Sequence, residues 1–315
     1  MGDQGARFSS QLMHAAASLY YLQDATQAEI ADRLGTSRPT VSRLLAEARR
    51  IGMVKIEVSP LVDLDEDELA RRAAEALGVH QVHLCAPVRG VSLGASLAPG
   101  LGRALEQVGL CAGDVLLVAS GRTVYEAATA ELPRLPGVLI VPTVGGQDEP
   151  EPWYQINEIT RQFAVRVGGR PMFLYAPALP GPDLHATLLA DPTSGQVFSM
   201  WEQARCAVLG IGAPPLMRQS ISRFIPTDAV ALREAVGDVC LRFFDAAGTP
   251  VPFPGSERLI ATPLELLSSL PVTIALAVGQ DKVAGIVAAC AAGYVNELVT
   301  DVPTASAALA AVKDS

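Results

Sequence analysis

Lysine is nearly missing from this 315-residue chain: Lys55, Lys282 and Lys313 are all it has, beside four histidines. Aromatic residues make up 5% and charged residues 18%, while half of the chain is apolar. Cysteine is sparse as well. Cys85, Cys111, Cys206, Cys240 and Cys290 are odd in number, widely separated and without a C-x-x-C pair, which argues against a disulfide or zinc framework. They are expected as small core residues in a reducing compartment. His80 and His83 lack partners for a metal site, and no His-Glu-x-x-His helix or Walker motif is present. No metal and no cofactor are expected. No apolar run reaches membrane-spanning length without interruption by charge, glycine or proline. The first residues lack the charged start and small-residue cleavage site of a signal peptide. A cytoplasmic protein without a membrane partner is expected.

What is present suits two domains, given the length and the ample apolar material. The net charge is −9, but unevenly spread. Residues 1–58 carry seven basic against six acidic residues and net +1, leaving −10 for the remainder. Four of those seven lie between Arg38 and Arg50. Local charge is what meets phosphates, so this short stretch can face nucleic acid while the acidic remainder stays off it.

The stretch Thr26 to Ile51 reads as a helix-turn-helix. Thr26 and Glu29 form a Thr-x-x-Glu capping box. Ile30, Ala31 and Leu34 share one face, and Gly35 ends the first helix because it accepts a left-handed conformation. Ser37 caps a second helix with Pro39 in its first turn. Val41, Leu44, Leu45 and Ala48 form its buried stripe, leaving Arg38, Thr40, Ser42, Arg43, Glu47 and Arg50 outward. That is the pattern of a recognition helix in the major groove. The plain alternative is a helical hairpin with a solvated basic face; capping box, turn glycine and short outward polar side chains agree on DNA. Residues 8–23 are predicted to form a supporting helix. Met53 to Val58 alternates apolar and charged residues, as a wing strand would, and Gly52 closes the recognition helix. Residues 59–80 are predicted as linker and connecting helix, helical from about Asp65 to Leu77.

From residue 81 to 315, short apolar strands alternate with helices. The strands are 82–86, 115–119, 138–142, 171–175, 206–211, 239–244, 272–278 and 297–300. The helices lie near 93–107, 123–132, 156–167, 184–189, 197–203, 263–267, 282–291 and 303–311. This predicts an α/β fold: a Rossmann-like, mostly parallel sheet with helices on both faces, behind an all-α winged helix-turn-helix domain. Ala246-Ala247-Gly248 reads as a turn of a local hairpin.

Ligands of open α/β sheets sit at the carboxyl ends of strands. Three ends have suitable chemistry. Ser120-Gly121-Arg122-Thr123 opens a helix and offers N–H donors, hydroxyls and a guanidinium to an anion. Thr143-Val144-Gly145-Gly146-Gln147 lets a ligand approach the backbone. Gly279-Gln280-Asp281-Lys282 places a cation at a helix N-terminus, against the dipole, which suggests an anionic partner. Glycine in such turns can also serve geometry alone; three polar loops together favour binding. Asp245 reads as a turn former, and Trp153 and Trp201 as core or lid aromatics.

Gln27, Glu29-Ile30-Ala31, Leu34, Ser37 to Leu45 and Ala48-Arg49 together resemble the SorC family of bacterial sugar-responsive transcriptional regulators. The likeness continues through 120–123, 141–146, Gly210-Ile211-Gly212, Gly237-Asp238, 244–248, Lys282 and 298–301, and so spans nearly the whole chain. It implies a helix-turn-helix joined to an effector domain related to phosphosugar isomerases, in a homo-oligomer, dimer or tetramer. It implies that Ser120, Gly121, Arg122 and Thr123 hold phosphate or sugar hydroxyls. Lys282 would be the basic anchor, with Gly145, Gly146 and Asp245 lining the pocket. Gln280 stands where members often carry glycine, and Val144 where some phosphate-binding relatives carry arginine. An unphosphorylated sugar or polyol therefore stands beside a sugar phosphate as the expected effector.

The expected partners are thus operator DNA, a small sugar-like effector and further copies of the chain. Ser37, Arg38, Thr40, Ser42 and Arg43 would meet base edges and phosphates, with Gln27 and Pro39 on the same face. Arg49, Arg50 and Lys55 would meet phosphates. The rival reading is a phosphosugar isomerase-like enzyme with a DNA-binding appendage. It needs a positioned base, and the loops offer only Asp245 and Asp281 and no histidine. A third reading is an α/β module that only oligomerises.

Overall fold

The structure is a computed structural model and describes residues 9–23, 25–54, 64–218 and 220–313. The chain divides into two compact units, Met1–Val62 and Asp63–Ser315.

The first unit holds three helices, α1 (Ser10–Leu22), α2 (Gln27–Arg33) and α3 (Arg38–Arg50). The capping box is formed in both directions: Thr26 N–H donates to the Glu29 carboxylate at 2.8 Å, and Glu29 N–H donates to Thr26 Oγ1 at 3.3 Å. Gly35 turns the chain at φ 61°. Ser37 occupies the N-cap of α3, but its hydroxyl meets Thr40 Oγ1 at 2.9 Å instead of a backbone N–H. Met13 and Ala16 of α1, Ile30 of α2 and the stripe Val41, Leu44, Leu45 and Ala48 of α3 close one core. The expected wing strand falls mostly on 55–58, outside the described residues, as does Lys55.

The second unit begins with α4 (Leu64–Leu77) and runs through β1 (Gln81–Leu84), α5 (Leu93–Ser96), α6 (Ala98–Val108), β2 (Val115–Val118), α7 (Arg122–Ala128), β3 (Leu139–Pro142) and α8 (Ile156–Val167). It continues with β4 (Arg170–Pro171), α9 (Pro182–Ala190), α10 (Pro192–Glu202), β5 (Ala204–Gly210), β6 (Gly237–Val239) and β7 (Arg242–Phe244). It ends with α11 (Leu264–Ser269), β8 (Val272–Leu276), α12 (Val283–Ala291), β9 (Glu297–Thr300) and α13 (Val302–Lys313). Helix α4 was expected within a connecting segment. It packs instead on α13 and β1, with Ala73 and Leu77 inside the core, and so is built into this unit.

Seven strands form one sheet in the order β1-β9-β8-β5-β2-β3-β4, every pair parallel. Alternation along β2 explains the layers. Val115 and Leu117 enter one core with α10, α12 and α13, while Leu116 and Val118 enter the other with α6, α7 and α8. Parallel strands covered on both faces are the case in which strands read as near-continuous apolar runs, as β2 (VLLV) does.

The segment 239–244 was expected as one more strand of the sheet. It makes an antiparallel hairpin of β6 and β7 instead, turning at Cys240 and Leu241 with φ 51° and 64°. Two consecutive left-handed residues are what a two-residue hairpin turn demands, and it is demanding of residues other than glycine. Of the 171–175 run only Pro171 belongs to a strand, β4, and Asn157 of α8 takes the Leu174 N–H and C=O with its side-chain amide.

The reciprocal cap predicts that Thr26→Ala lowers the stability of the first unit by about 1 kcal/mol. Urea unfolding followed by helical signal checks this; an unmoved midpoint would show that the cap contributes nothing.

Candidate functional sites

On α3 the buried stripe fixes what faces out. Ser37, Arg38, Pro39, Ser42, Arg43, Arg49 and Arg50 are exposed, with Thr40 and Gln27 half-buried beside them. Arg43 Nε donates to Pro39 O at 3.3 Å, which lays its side chain back toward the start of the helix. Arg50 is held bidentate by Glu47, at 2.5 and 2.8 Å. Arg38 and Arg49 make no ion pair among the described residues. The unpaired positive charge of the helix therefore lies at its two ends, with Arg43 between.

In the second unit the chain steps from β2 through β3 to β4 toward one edge, then from β5 through β8 to β9 toward the other. The order reverses between β2 and β5, and a crevice opens where the loops beyond those two strands part. A cavity of about 420 Å³ occupies it. Ser120 to Val124 line it from the β2 end, Gly210 to Ala213 from the β5 end, and Asp281 and Lys282 from the loop after β8. Trp153, Tyr154, Arg218, Ser220 and the 238–241 hairpin complete the wall.

Gly121 enters α7 at φ 130°, ψ 150°, and Gly279 enters the turn before α12 at φ 124°, ψ 144°. Side chains avoid that region. The backbone demand explains both glycines, since a Cβ on Gly121 would meet no atom within 4 Å. Gly212 is different: a Cβ there would collide with the Arg218 guanidinium and the Asp238 carboxylate. Those two groups form a buried ion pair, and the second Asp238 oxygen accepts the Leu241 N–H at 3.0 Å. Arg218 also donates to Ala213 O at 2.7 Å and lies 5.5 Å over the Phe243 ring.

Gln147 is buried and fully engaged. Its amide nitrogen donates to Ser120 Oγ at 3.0 Å and its oxygen accepts from the Ser222 hydroxyl. Tyr154 and Ser220 share a hydrogen bond of 2.6 Å nearby. Arg122 bends back to Glu126 at 2.9 Å, and its guanidinium carbon lies 5.3 Å over Trp153. Burial pushes the Lys282 ammonium below its ordinary value; Asp281 opposes the shift, Arg218 adds to it and Asp238 opposes it.

Of the residues expected to hold an effector, Ser120, Gly121, Arg122, Thr123, Gln147 and Lys282 come together in this cavity. Five others do not line it. Asp245 accepts the N–H groups of Ala247 and Thr249 and closes a turn, as its own pattern suggested. Gly145 pairs with Ile260, and Gly146 with Ala176 and Ala178, because that loop continues as backbone ladder. Thr143 is fully buried and its carbonyl takes the Thr262 N–H and hydroxyl. Gln280 is exposed. Arg218 and Ser220 were not anticipated, and Trp153 (read as a core or lid aromatic) and Asp238 (only within the family likeness) were not assigned to the site; all four sit in loops or a hairpin with no periodicity to mark them. Gly210 and Gly212, a glycine pair just past a strand, were the available signal.

A family described as "Putative sugar-binding domain" matches residues 63–310, and a Crp-like helix-turn-helix domain matches residues 7–72. The chain belongs to the SorC family of sugar-binding transcriptional regulators. It is 29% identical to the sorbitol operon regulator of Klebsiella pneumoniae, across 94% of this chain and 96% of that one. It is 30% identical to the deoxyribonucleoside regulator of Bacillus subtilis, across 96% and 98%. The crystal structure of full-length SorC from Klebsiella pneumoniae superposes with a TM-score of 0.83 at 27% identity, covering 96% of this chain and 100% of that one. This SorC-family chain is therefore a DNA-binding regulator with a sugar-binding domain, and among its described residues no helix is long and apolar enough to cross a membrane.

Gln147→Leu leaves the Ser120 and Ser222 hydroxyls without their shared partner and should cost about 1–3 kcal/mol in stability. Equal urea midpoints for variant and parent would show that the amide clamp is idle. The Lys282 shift carries a sign. Between its folded value and the ordinary 10.5 the unfolded chain holds more protons, so this group's contribution to stability rises with pH across that window. Lys282→Met should therefore be the more stable protein at neutral pH, with the gap closing once pH exceeds the ordinary lysine range. A gap that is constant with pH would rule this out.

Proposed function

We propose that a sugar, polyol or sugar phosphate binds in the switch-point cavity and controls operator binding by the helix-turn-helix. The observation that carries this is the cavity itself: about 420 Å³ at the carboxyl ends of β2 and β5, walled by hydroxyls, amides and opposed charges. Such a lining suits a small polyhydroxy compound, which needs many donors and acceptors and little apolar surface. Ser120 and Thr123 offer hydroxyls, Lys282 offers a cation, and Trp153 offers a ring face. Relatives named for sorbitol and deoxyribonucleosides support the same chemical range.

The regulator acts as a dimer or tetramer in the cytoplasm, without turnover. Residues 1–58 net only +1, and paired recognition helices raise affinity by joint binding. The effector acts by favouring one arrangement of the assembly over another. Against an isomerase, which needs a positioned base, Asp238 is already held by Arg218 and the Leu241 N–H, and Asp281 is exposed to solvent. No histidine lines the wall.

A thermal-shift series of polyols, sugars and sugar phosphates tests the effector, since a ligand at a hundred times its Kd adds about 2.7 kcal/mol. The responding compound should lose at least tenfold in affinity in Lys282→Met while operator binding without effector stays unchanged. Arg43→Ala should weaken operator binding by about 1–3 kcal/mol at fixed salt and leave effector affinity alone. Turnover of any of these compounds by the purified protein would overturn the non-enzymatic reading.

A further inference from the structure

A second cavity, of about 110 Å³, lies beside the β6–β7 hairpin. Leu241 stands in the walls of both cavities, but the small one is otherwise lined by different residues. Val251, Phe253, Leu259 and Leu264 make its wall largely apolar, Arg242 supplies a cation, and Glu265 lies at its exposed rim.

Arg242 is the feature that needs explaining. Its Nε donates to Thr262 O at 3.0 Å and one terminal nitrogen donates to Ala261 O at 2.7 Å. These bonds fix the guanidinium plane and use two of its five N–H groups. None of the ion pairs among the described residues includes it. Its neighbour Cys240 brings no charge, because burial pushes that thiol up to about 12. Glu265 acts on it only through space, and burial already disfavours the charged form of the arginine. A cation taken partly out of water beside apolar groups is costly unless an anion meets it.

We propose that this cavity binds a short-chain monocarboxylate, with the carboxylate on Arg242 and the alkyl tail among Val251, Phe253, Leu259 and Leu264. A planar guanidinium held at a fixed angle matches a carboxylate better than a compact ammonium would. At about 30 Å³ for each water-sized group, the volume holds about four, which takes up a carboxylate with one or two further carbons, a longer tail reaching the open mouth, and favours such a ligand over a sugar. Glu265 at the rim sets the class further. A second negative charge on the ligand would face it, so dicarboxylates and phosphate are disfavoured.

Calorimetric titration of the full chain with sodium propionate and butyrate, against succinate and phosphate at equal ionic strength, tests this. The expected result is saturable binding of one monocarboxylate per chain, at least tenfold tighter than succinate or phosphate. Arg242→Gln should lose at least tenfold. Because Arg242 also braces the 261–262 backbone, Val251→Phe serves as the second variant: it narrows the cavity, keeps both carbonyl bonds and should abolish butyrate binding with an unchanged circular dichroism spectrum. Crystals of the parent protein grown with butyrate should place the carboxylate on Arg242, whatever the variants do. Absence of saturable binding by the parent, equal binding of succinate or phosphate, or undiminished binding by folded Val251→Phe would each overturn the proposal.

Discussion

Parallel pairing is the constraint on which the rest of this structure depends. When every strand of a sheet runs the same way, all carboxyl ends share one edge, and every return must cross a face as a helix. Both faces are then covered, the strands become mostly apolar, and polar groups collect at the edge where chains emerge. The reversal of direction between β2 and β5 does the remainder. Loops beyond neighbouring strands part there.

Within the opening, charge is arranged in opposed pairs. Arg218 faces Asp238, Arg122 faces Glu126, and Lys282 lies near Asp281 and Asp238. The wall mixes polar and apolar groups, with its charges paired. Position is then enforced by side chains that each bridge two elements: Gln147 ties the β2 end to Ser222, and Asp238 ties the hairpin turn to Arg218 in the loop after β5. On the proposed function, a ligand would meet a surface set before it arrives, which lowers the ordering cost of binding.

Much of this could be read from residues alone, for reasons that differ by element. Helix α8 was legible to the residue because Ile156, Ile159, Phe163 and Val167 repeat at helical spacing and Gly168 stops it. The recognition helix was legible because capping, turn and stripe agree. The sheet's strands stood out as apolar runs, but their order did not, since adjacency of β2 and β5 depends on contacts 91 positions apart, as between Asp114 and Arg205. Hence the loop after β3 seemed as good a candidate as the others. In fact it continues as backbone ladder through Gly145 and Gly146 and sends only Gln147 to the cavity. The hairpin was hidden because Cys240 and Leu241 give no glycine signal where the turn requires left-handed backbone.

The two tryptophans end up in opposite circumstances. Trp201 is buried and its indole N–H donates to Pro142 O at 2.8 Å, inside the core beneath the sheet. Trp153 sits half-exposed at the cavity mouth with a guanidinium on its ring. The protein therefore carries two emitters of unlike kind, one shielded and insensitive to whatever enters the crevice, the other quenched or released by it. Its own fluorescence is a ratio between a fixed internal standard and a responsive gauge, available without any added dye.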